Sequence, residues 1–316
     1  MLFPGQGSQH LGMGLDLAAA DPAAAELLAL AERTLELPLR AILGGADPAA
    51  LDRTDVCQPA ILAVSLAAMA ALERRGLVRR EDVVGAAGLS LGEYSALAWA
   101  GALTPEAALR LVRLRGQAMQ RASDERPSGM LSLVGATEAT AQALCAEAAG
   151  DGVLVVANLL GPSQIAISGT RDALERAQGL LPKHKIRKAV PLPVAGAFHS
   201  PCMASAATAL AEALARTEIV RPAVPVVLNV SAEPTDDPAR IREGLRRQLT
   251  APVRWHASVA ALLERGAESV LEPAPGRQLT NLVKRGDQPV AVATCANADE
   301  LSAFTPWPAR QAQVTA

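Results

Sequence analysis

Aromatic side chains are scarce in this sequence: three Trp, three Phe and a single Tyr among 316 residues. So few rings cannot build the stacking platforms that hold single-stranded nucleic acid, and the core must come from Ala, Leu and Val. An excess of charge of one sign is also missing. Thirty Lys and Arg stand against 32 Asp and Glu, a formal net charge of −2, without the basic surplus that neutralises phosphates, which argues against nucleic acid as a partner. The four cysteines, Cys57, Cys145, Cys202 and Cys295, lie far apart with no CxxC pair and no histidine at zinc-site spacing. They read as reduced, buried thiols, and no metal site is expected. No apolar run reaches the roughly 20 residues needed to cross a bilayer. Met1-Leu2-Phe3-Pro4 opens without a basic region or a cleavage site, so the expectation is a cytoplasmic protein, off the membrane and monomeric. Repeats of fixed period are absent, and the Ala-rich helical stretches need no functional reading.

Half of the residues are hydrophobic and 20% are charged, the balance of a globular chain long enough for one large domain or two modest ones. Strand-like runs at 83–88, 190–195, 224–230, 268–272 and 289–294 alternate with longer helical patterns, which predicts an α/β fold with a mainly parallel sheet. Thr104-Pro105-Glu106 supplies a helix start, and Gly76 after Arg74-Arg75 a helix stop. Residues 123–191 break this rhythm. Strands at 130–135, 153–157, 164–168 and 185–190 with helices at 137–148 and 170–180 give the order βαββαβ, the pattern of a ferredoxin-like unit. The chain is therefore read as a large α/β part, 1–122 and 192–304, with a small subdomain, 123–191, inserted and a loose tail, 305–316. A cleft between the two parts is a natural place for a substrate.

Chemistry concentrates at few positions. Gly88-Leu89-Ser90-Leu91-Gly92 is a GxSxG between an apolar strand and a helix, the context of a nucleophile elbow; the glycines let the chain turn sharply, pushing Ser90 Oγ out beside the Leu91 amide. The motif alone is weak, because a tight turn can carry an incidental serine. A serine nucleophile needs a base. His10, His184 and His256 lie in helical or strongly basic surroundings and read as solvated, whereas His199 follows the run 191–195 in a loop just before a helix. It is either that base or a loop histidine that satisfies backbone groups. Wound at about 100° per residue, the helix 104–122 puts Arg110, Arg113, Gln117, Gln120 and Arg121 on one face and Ala108, Leu111, Val112, Ala118, Met119 and Ala122 on the other. Arg115 falls in the middle of the apolar face. A guanidinium there either pairs with a protein carboxylate, Glu93 being one candidate, or waits for an anionic ligand. The Gly-rich stretch 3–9 lacks the Lys-Ser/Thr of a P-loop and the spacing of GxGxxG, and fits better a loop that presents backbone N–H groups.

In order along the chain stand FPGQGSQ at 3–9, Gln58-Pro59-Ala60, GLSLGEY at 88–94, Arg115 in LRGQAMQ, GAFHS at 196–200, Asn229-Val230, Gln248-Leu249 before Pro252-Val253-Arg254-Trp255, and Pro275-Gly276 before LTNLVKR. Together they resemble the malonyl-CoA:acyl-carrier-protein transacylase family of fatty-acid and polyketide synthesis, over nearly the whole chain. The resemblance implies an α/β-hydrolase-like parallel-sheet body with a ferredoxin-like insert. It implies Ser90 as nucleophile and His199 as general base, with the Gln248 carbonyl orienting His199. The Gln6 and Leu91 amides would form the oxyanion hole. Arg115 would grip the malonyl carboxylate, Gln58 would frame the pocket, and Phe198 would occupy the space of a C2 methyl. The implied reaction moves malonyl from malonyl-CoA to the phosphopantetheine thiol of an acyl carrier protein, with no bound cofactor. An acyl hydrolase using the same Ser–His pair is the alternative. Two features depart from the family pattern: Leu89 stands where a histidine commonly precedes the nucleophile, and relatives usually carry several more residues ahead of FPGQG, forming a first strand.

Overall fold

The structure is a computed structural model, and it describes residues 1–288 and 290–307. It is a mixed α/β fold. Four strands form the central sheet: β1 (Leu2–Phe3), β2 (Ala86–Gly88), β7 (Val226–Val227) and β8 (Pro234–Thr235), in the order β1-β2-β7-β8. The first three run parallel and β8 is antiparallel to β7. β9 (Ser269–Pro273) and β10 (Ala291–Cys295) make a separate parallel pair. Between these pieces, β3 (Ser128–Val134), β4 (Leu154–Gly161), β5 (Gln164–Thr170) and β6 (Lys188–Pro191) form a fully antiparallel sheet in the order β4-β5-β3-β6.

The antiparallel sheet has its own core. Leu131, Leu133, Ile165 and Ile167 meet Leu144 of the helix Glu138–Ala148 and Leu174 of the helix Arg171–Leu180. The helix Glu138–Ala148 begins on a reciprocal cap between Thr137 and Thr140, which satisfies amides that a helix start leaves orphaned. Two backbone bonds tie the sheet's edge strand β4 to Val253: Val253 N–H donates to Ala157 O (2.8 Å) and Leu159 N–H to Val253 O (2.9 Å).

The expected strand over 190–195 is corrected. Pro191 ends β6 opposite Leu131, and 192–196 is irregular. Pro191 and Pro193 remove two ladder donors within three residues, which stops a strand. The runs at 83–88 and 224–230 shrink to three and two paired residues. The expected start of the last strand at Pro289 lies outside the described residues. Of the expected tail, Trp307 donates its amide to Leu77 O and stacks on Phe304; 308–316 also lie outside.

The predicted helix boundaries at Thr104 and Gly76 are present. Thr104 accepts the Ala107 amide, and Gly76 adopts a positive φ after the helix Thr54–Arg74. That helix is 21 residues long and apolar enough to cross a membrane, yet 89% of its most apolar window is buried inside the protein. It packs on the helix Pro105–Glu125, and Gly116 sets their separation. A Cβ there would lie 2.6 Å from Thr54 O and 2.7 Å from Asp55 Cα. These are backbone atoms that cannot swing aside.

Gly116→Ala therefore sets a helix-propensity gain of about 1 kcal/mol against an overpacking cost of roughly 1–3 kcal/mol. The clash is with main chain, so we expect a net loss of stability, read as a lower denaturant midpoint. A midpoint at or above that of the parent would contradict this account of the helix contact.

Candidate active site

β2 delivers the chain into the elbow. Ser90 has φ 53°, a left-handed conformation that costs a non-glycine residue of order 1–3 kcal/mol and persists only where its surroundings enforce it. Here the enforcement is visible. A Cβ on Gly88 would come within 1.9 Å of Gly92 C, and one on Gly92 within 2.1 Å of Phe3 O, so neither position accepts a side chain. Asn229, wholly buried at the end of β7, then locks the turn. Its Oδ1 accepts the Ser90 amide (2.8 Å) and its Nδ2 donates to Gly88 O (2.7 Å). Arg254 in turn donates its amide to Asn229 O (2.9 Å).

His199, also at positive φ (57°), faces this turn. Its Nε2 lies 2.8 Å from Ser90 Oγ and its Nδ1 2.8 Å from the Gln248 carbonyl oxygen. A carbonyl only accepts, so Nδ1 carries the hydrogen, and Nε2 is left as the acceptor for the Ser90 hydroxyl. Burial, and next the Arg115 charge, pull the His199 pKa down to about 4. The ring is therefore neutral, and able to take a proton, at neutral pH.

Arg115 is completely buried, as its place on the apolar helix face predicts. It donates from Nη1 to Gln58 Oε1 (2.7 Å), and from Nη2 to Ser90 Oγ (2.9 Å) and Gln248 Oε1 (3.1 Å). Its Cζ stands 5.7 Å from the centre of the Tyr94 ring, and Nε has no partner. Among the described residues no carboxylate comes within ion-pair distance. The expected candidate partner, Glu93, does not touch it. The Gln248 amide lies between them, its Nε2 on Glu93 Oε2 (2.7 Å) and on Ser90 O (2.9 Å). A buried cation with only neutral neighbours is costly unless something anionic completes it.

The remaining expected residues sit as follows. Gln58 donates to Gln6 Oε1 (3.0 Å), which ties the loop at 4–9 to the pocket. A Cβ on Gly5 would lie 2.4 Å from Leu89 O, so that loop rests directly on the elbow. Neither the Gln6 nor the Leu91 amide finds an acceptor among the described residues. Phe198 is buried in the main core beside His199. Leu89 packs with Leu2, Ala87, Val227 and Val253. Of the other histidines, His184 pairs with Glu147 and His256 with Asp287, both away from this site. Among the described residues no group of three His, Cys, Asp or Glu side chains is placed to hold a metal.

Sequence reasoning gave Asn229 no role and missed what the Gln248 side chain does. A polar residue closing the apolar run 224–230 was the available signal for the first. The second depends on a tertiary contact and left none.

An acyl transferase domain model matches residues 1–301. The malonyl CoA-acyl carrier protein transacylase of Bacillus subtilis (strain 168) is 39% identical over 285 residues, covering 90% of this chain and 89% of that protein. The crystal structure of the malonyl-CoA:acyl carrier protein transacylase of Xanthomonas oryzae pv. oryzae aligns with a TM-score of 0.91 at 39% identity, over 96% of this chain and 97% of the other. A malonyl-transacylase in complex with its type II PKS acyl-carrier protein aligns with the same TM-score at 36% identity, over 96% and 97%.

Asn229→Ala removes both side-chain bonds of the elbow and leaves the Ser90 amide and Gly88 carbonyl unmet. Leaving such buried groups unpaired costs roughly 1–3 kcal/mol. We expect a lowered denaturant midpoint of that size; an unchanged midpoint would mean that Asn229 does not hold the turn.

Proposed function

The chain belongs to the acyl transferase domain family, and on that footing we propose how its own residues carry the reaction. The enzyme transfers malonyl from malonyl-CoA to the phosphopantetheine thiol of an acyl carrier protein, by a ping-pong route through an acyl-enzyme. Ser90 Oγ attacks the thioester carbonyl while His199 Nε2 takes its proton. The oxyanion forms against the Leu91 and Gln6 amides. Collapse expels the CoA sulfur, which leaves with the proton from His199. The carrier thiol then gives its proton to His199 and attacks the Ser90 ester, and Ser90 recovers its hydrogen as the malonyl thioester departs.

Arg115 binds the free carboxylate of the malonyl group through paired N–H donors, with Gln58 framing it and the Gln248 carbonyl fixing the His199 ring. The single observation that carries this reading is the buried guanidinium, 2.9 Å from the nucleophile and with no carboxylate at ion-pair distance among the described residues. A hydrolase of neutral acyl chains has no use for such a charge. Phe198 takes the place of a C2 methyl and favours malonyl over methylmalonyl. No bound cofactor is needed, malonyl-CoA being the substrate, and the setting is cytoplasmic.

The architecture is read in the same terms: an α/β-hydrolase-like body, 1–122 and 192–304, with a ferredoxin-like unit inserted at 123–191 and a tail from 305. The order β4-β5-β3-β6 with two helices on the sheet supports the insert, and β1-β2-β7 running parallel, with the elbow directly after β2, supports the body.

Ser90→Ala should fold normally and take up no mass from malonyl-CoA, whereas the parent gains a malonyl group; a covalent adduct on the variant, detected by intact-protein mass spectrometry, would overturn the assignment. Arg115→Ala should lose malonyl transfer by a ΔΔG‡ on the order of 2–5 kcal/mol, as when one partner of a buried charged contact is truncated. Reaction with acetyl-CoA should change little. Equal loss on both donors together with a lower Tm would make Arg115 a structural residue instead.

A further inference from the structure

Glu93 has no part in the reaction just described, yet it sits at the base of the site with no exposed surface. Its Oε2 accepts from Gln248 Nε2 (2.7 Å) and from the Asn229 amide (3.3 Å), and its Oε1 has no partner. An ionised carboxylate accepts and cannot donate, whereas a glutamine amide presents an oxygen on one side and hydrogens on the other. The Gln248 amide meets acceptors on one side, Glu93 Oε2 and Ser90 O, and the donating guanidinium of Arg115 on the other. Turned over, it would set its oxygen against a carboxylate and a carbonyl, and its hydrogens against a cation.

We infer that Glu93 is a positioning residue: its acceptor-only carboxylate fixes the orientation of the Gln248 amide, which keeps the amide oxygen on Arg115 and thereby aims the guanidinium at the substrate carboxylate. The inference rests on the malonyl-transfer reading above. It gives Glu93 an effect that is specific to donors carrying a carboxylate. The backbone carbonyl of Gln248, which holds His199, does not move when its side-chain amide turns.

Burial lifts the Glu93 pKa to about 7, opposed by its bonds to Gln248 and Asn229 and by the Arg115 charge. The ionisable side chains facing it are Arg115, from the helix Pro105–Glu125, and Tyr94, next to it on its own helix. Tyr94 is pushed upward by burial, and His199, nearby on the far side of Gln248, titrates at about 4. Glu93 is therefore the group of this cluster that changes charge around neutrality. Below that point it holds a proton and can donate, and the amide's orientation is left to Ser90 O and Arg115 alone. Selection for the carboxylate should be strongest above about 7 and decline as pH falls through it.

The test is kcat/KM for malonyl-CoA divided by that for acetyl-CoA, a ratio in which the titration of CoA cancels. Glu93→Gln replaces the acceptor with an amide that fits either way round. Its ratio should fall about tenfold, mostly through the malonyl-CoA KM, the size expected for losing one hydrogen bond to a charged group. In a Gln248→Leu background the same change should have no further effect on the ratio. For the parent enzyme, which needs no variant to fold, the ratio should decline between about pH 8 and about pH 6 as Glu93 gains its proton. A Glu93→Gln enzyme with a lower Tm but the parent's ratio, or a parent ratio that is flat across that range, overturns the inference. Should the parent take no malonyl onto Ser90, the reading beneath it fails instead.

Discussion

A single buried charge organises this site. Arg115 carries a guanidinium with no exposed surface and no carboxylate at ion-pair distance among the described residues, a state that isolated burial would make very unfavourable. Around it the protein arranges neutral acceptors and an aromatic face: Gln58, Gln248, the Ser90 hydroxyl and Tyr94. Three of these have a second task. Gln58 reaches the Gln6 loop, Gln248 holds both the Ser90 carbonyl and the His199 ring, and Ser90 faces His199. The cation therefore shares one hydrogen-bonded network with the nucleophile, the base and the loop beside them.

The strain at the two reacting side chains has the same origin. Ser90 and His199 both hold left-handed backbone conformations, and close packing keeps them there: Gly92 lies against the main chain of Phe3, Gly88 against that of Gly92, and Gly196 against the Ser123 side chain. A hydroxyl and an imidazole that needed to search for each other would lose rotational freedom on meeting. Here that freedom is already removed by folding, which leaves the pair at 2.8 Å before any acyl group arrives.

Much of this was legible in the sequence, for reasons that can be named. The strand-GxSxG-helix pattern fixed the elbow because only glycine tolerates those contacts, and helical periodicity placed Arg115 inside because the apolar stripe around it is continuous. The βαββαβ order followed from alternating short patterns that local chemistry determines. What escaped was set by partners distant in the chain. Glu93 looked like a mate for Arg115, and nothing local says that Gln248, 155 residues on, inserts its amide between them. The strand at 190–195 failed because its apolar alternation outweighed, in reading, two prolines that cannot join a ladder.

The backbone bridge at Val253 has a mechanical meaning. On one side Val253 is stitched to Ala157 and Leu159 of the antiparallel sheet; on the other, the next residue, Arg254, grips Asn229, and Asn229 grips the turn that bears Ser90. Four short hydrogen bonds thus form a linkage from the edge strand of the antiparallel sheet to the backbone amide of Ser90, with no flexible side-chain spacer longer than an asparagine. The position of that sheet's edge and that of the nucleophile's turn are thus set against each other through main chain and one short side chain.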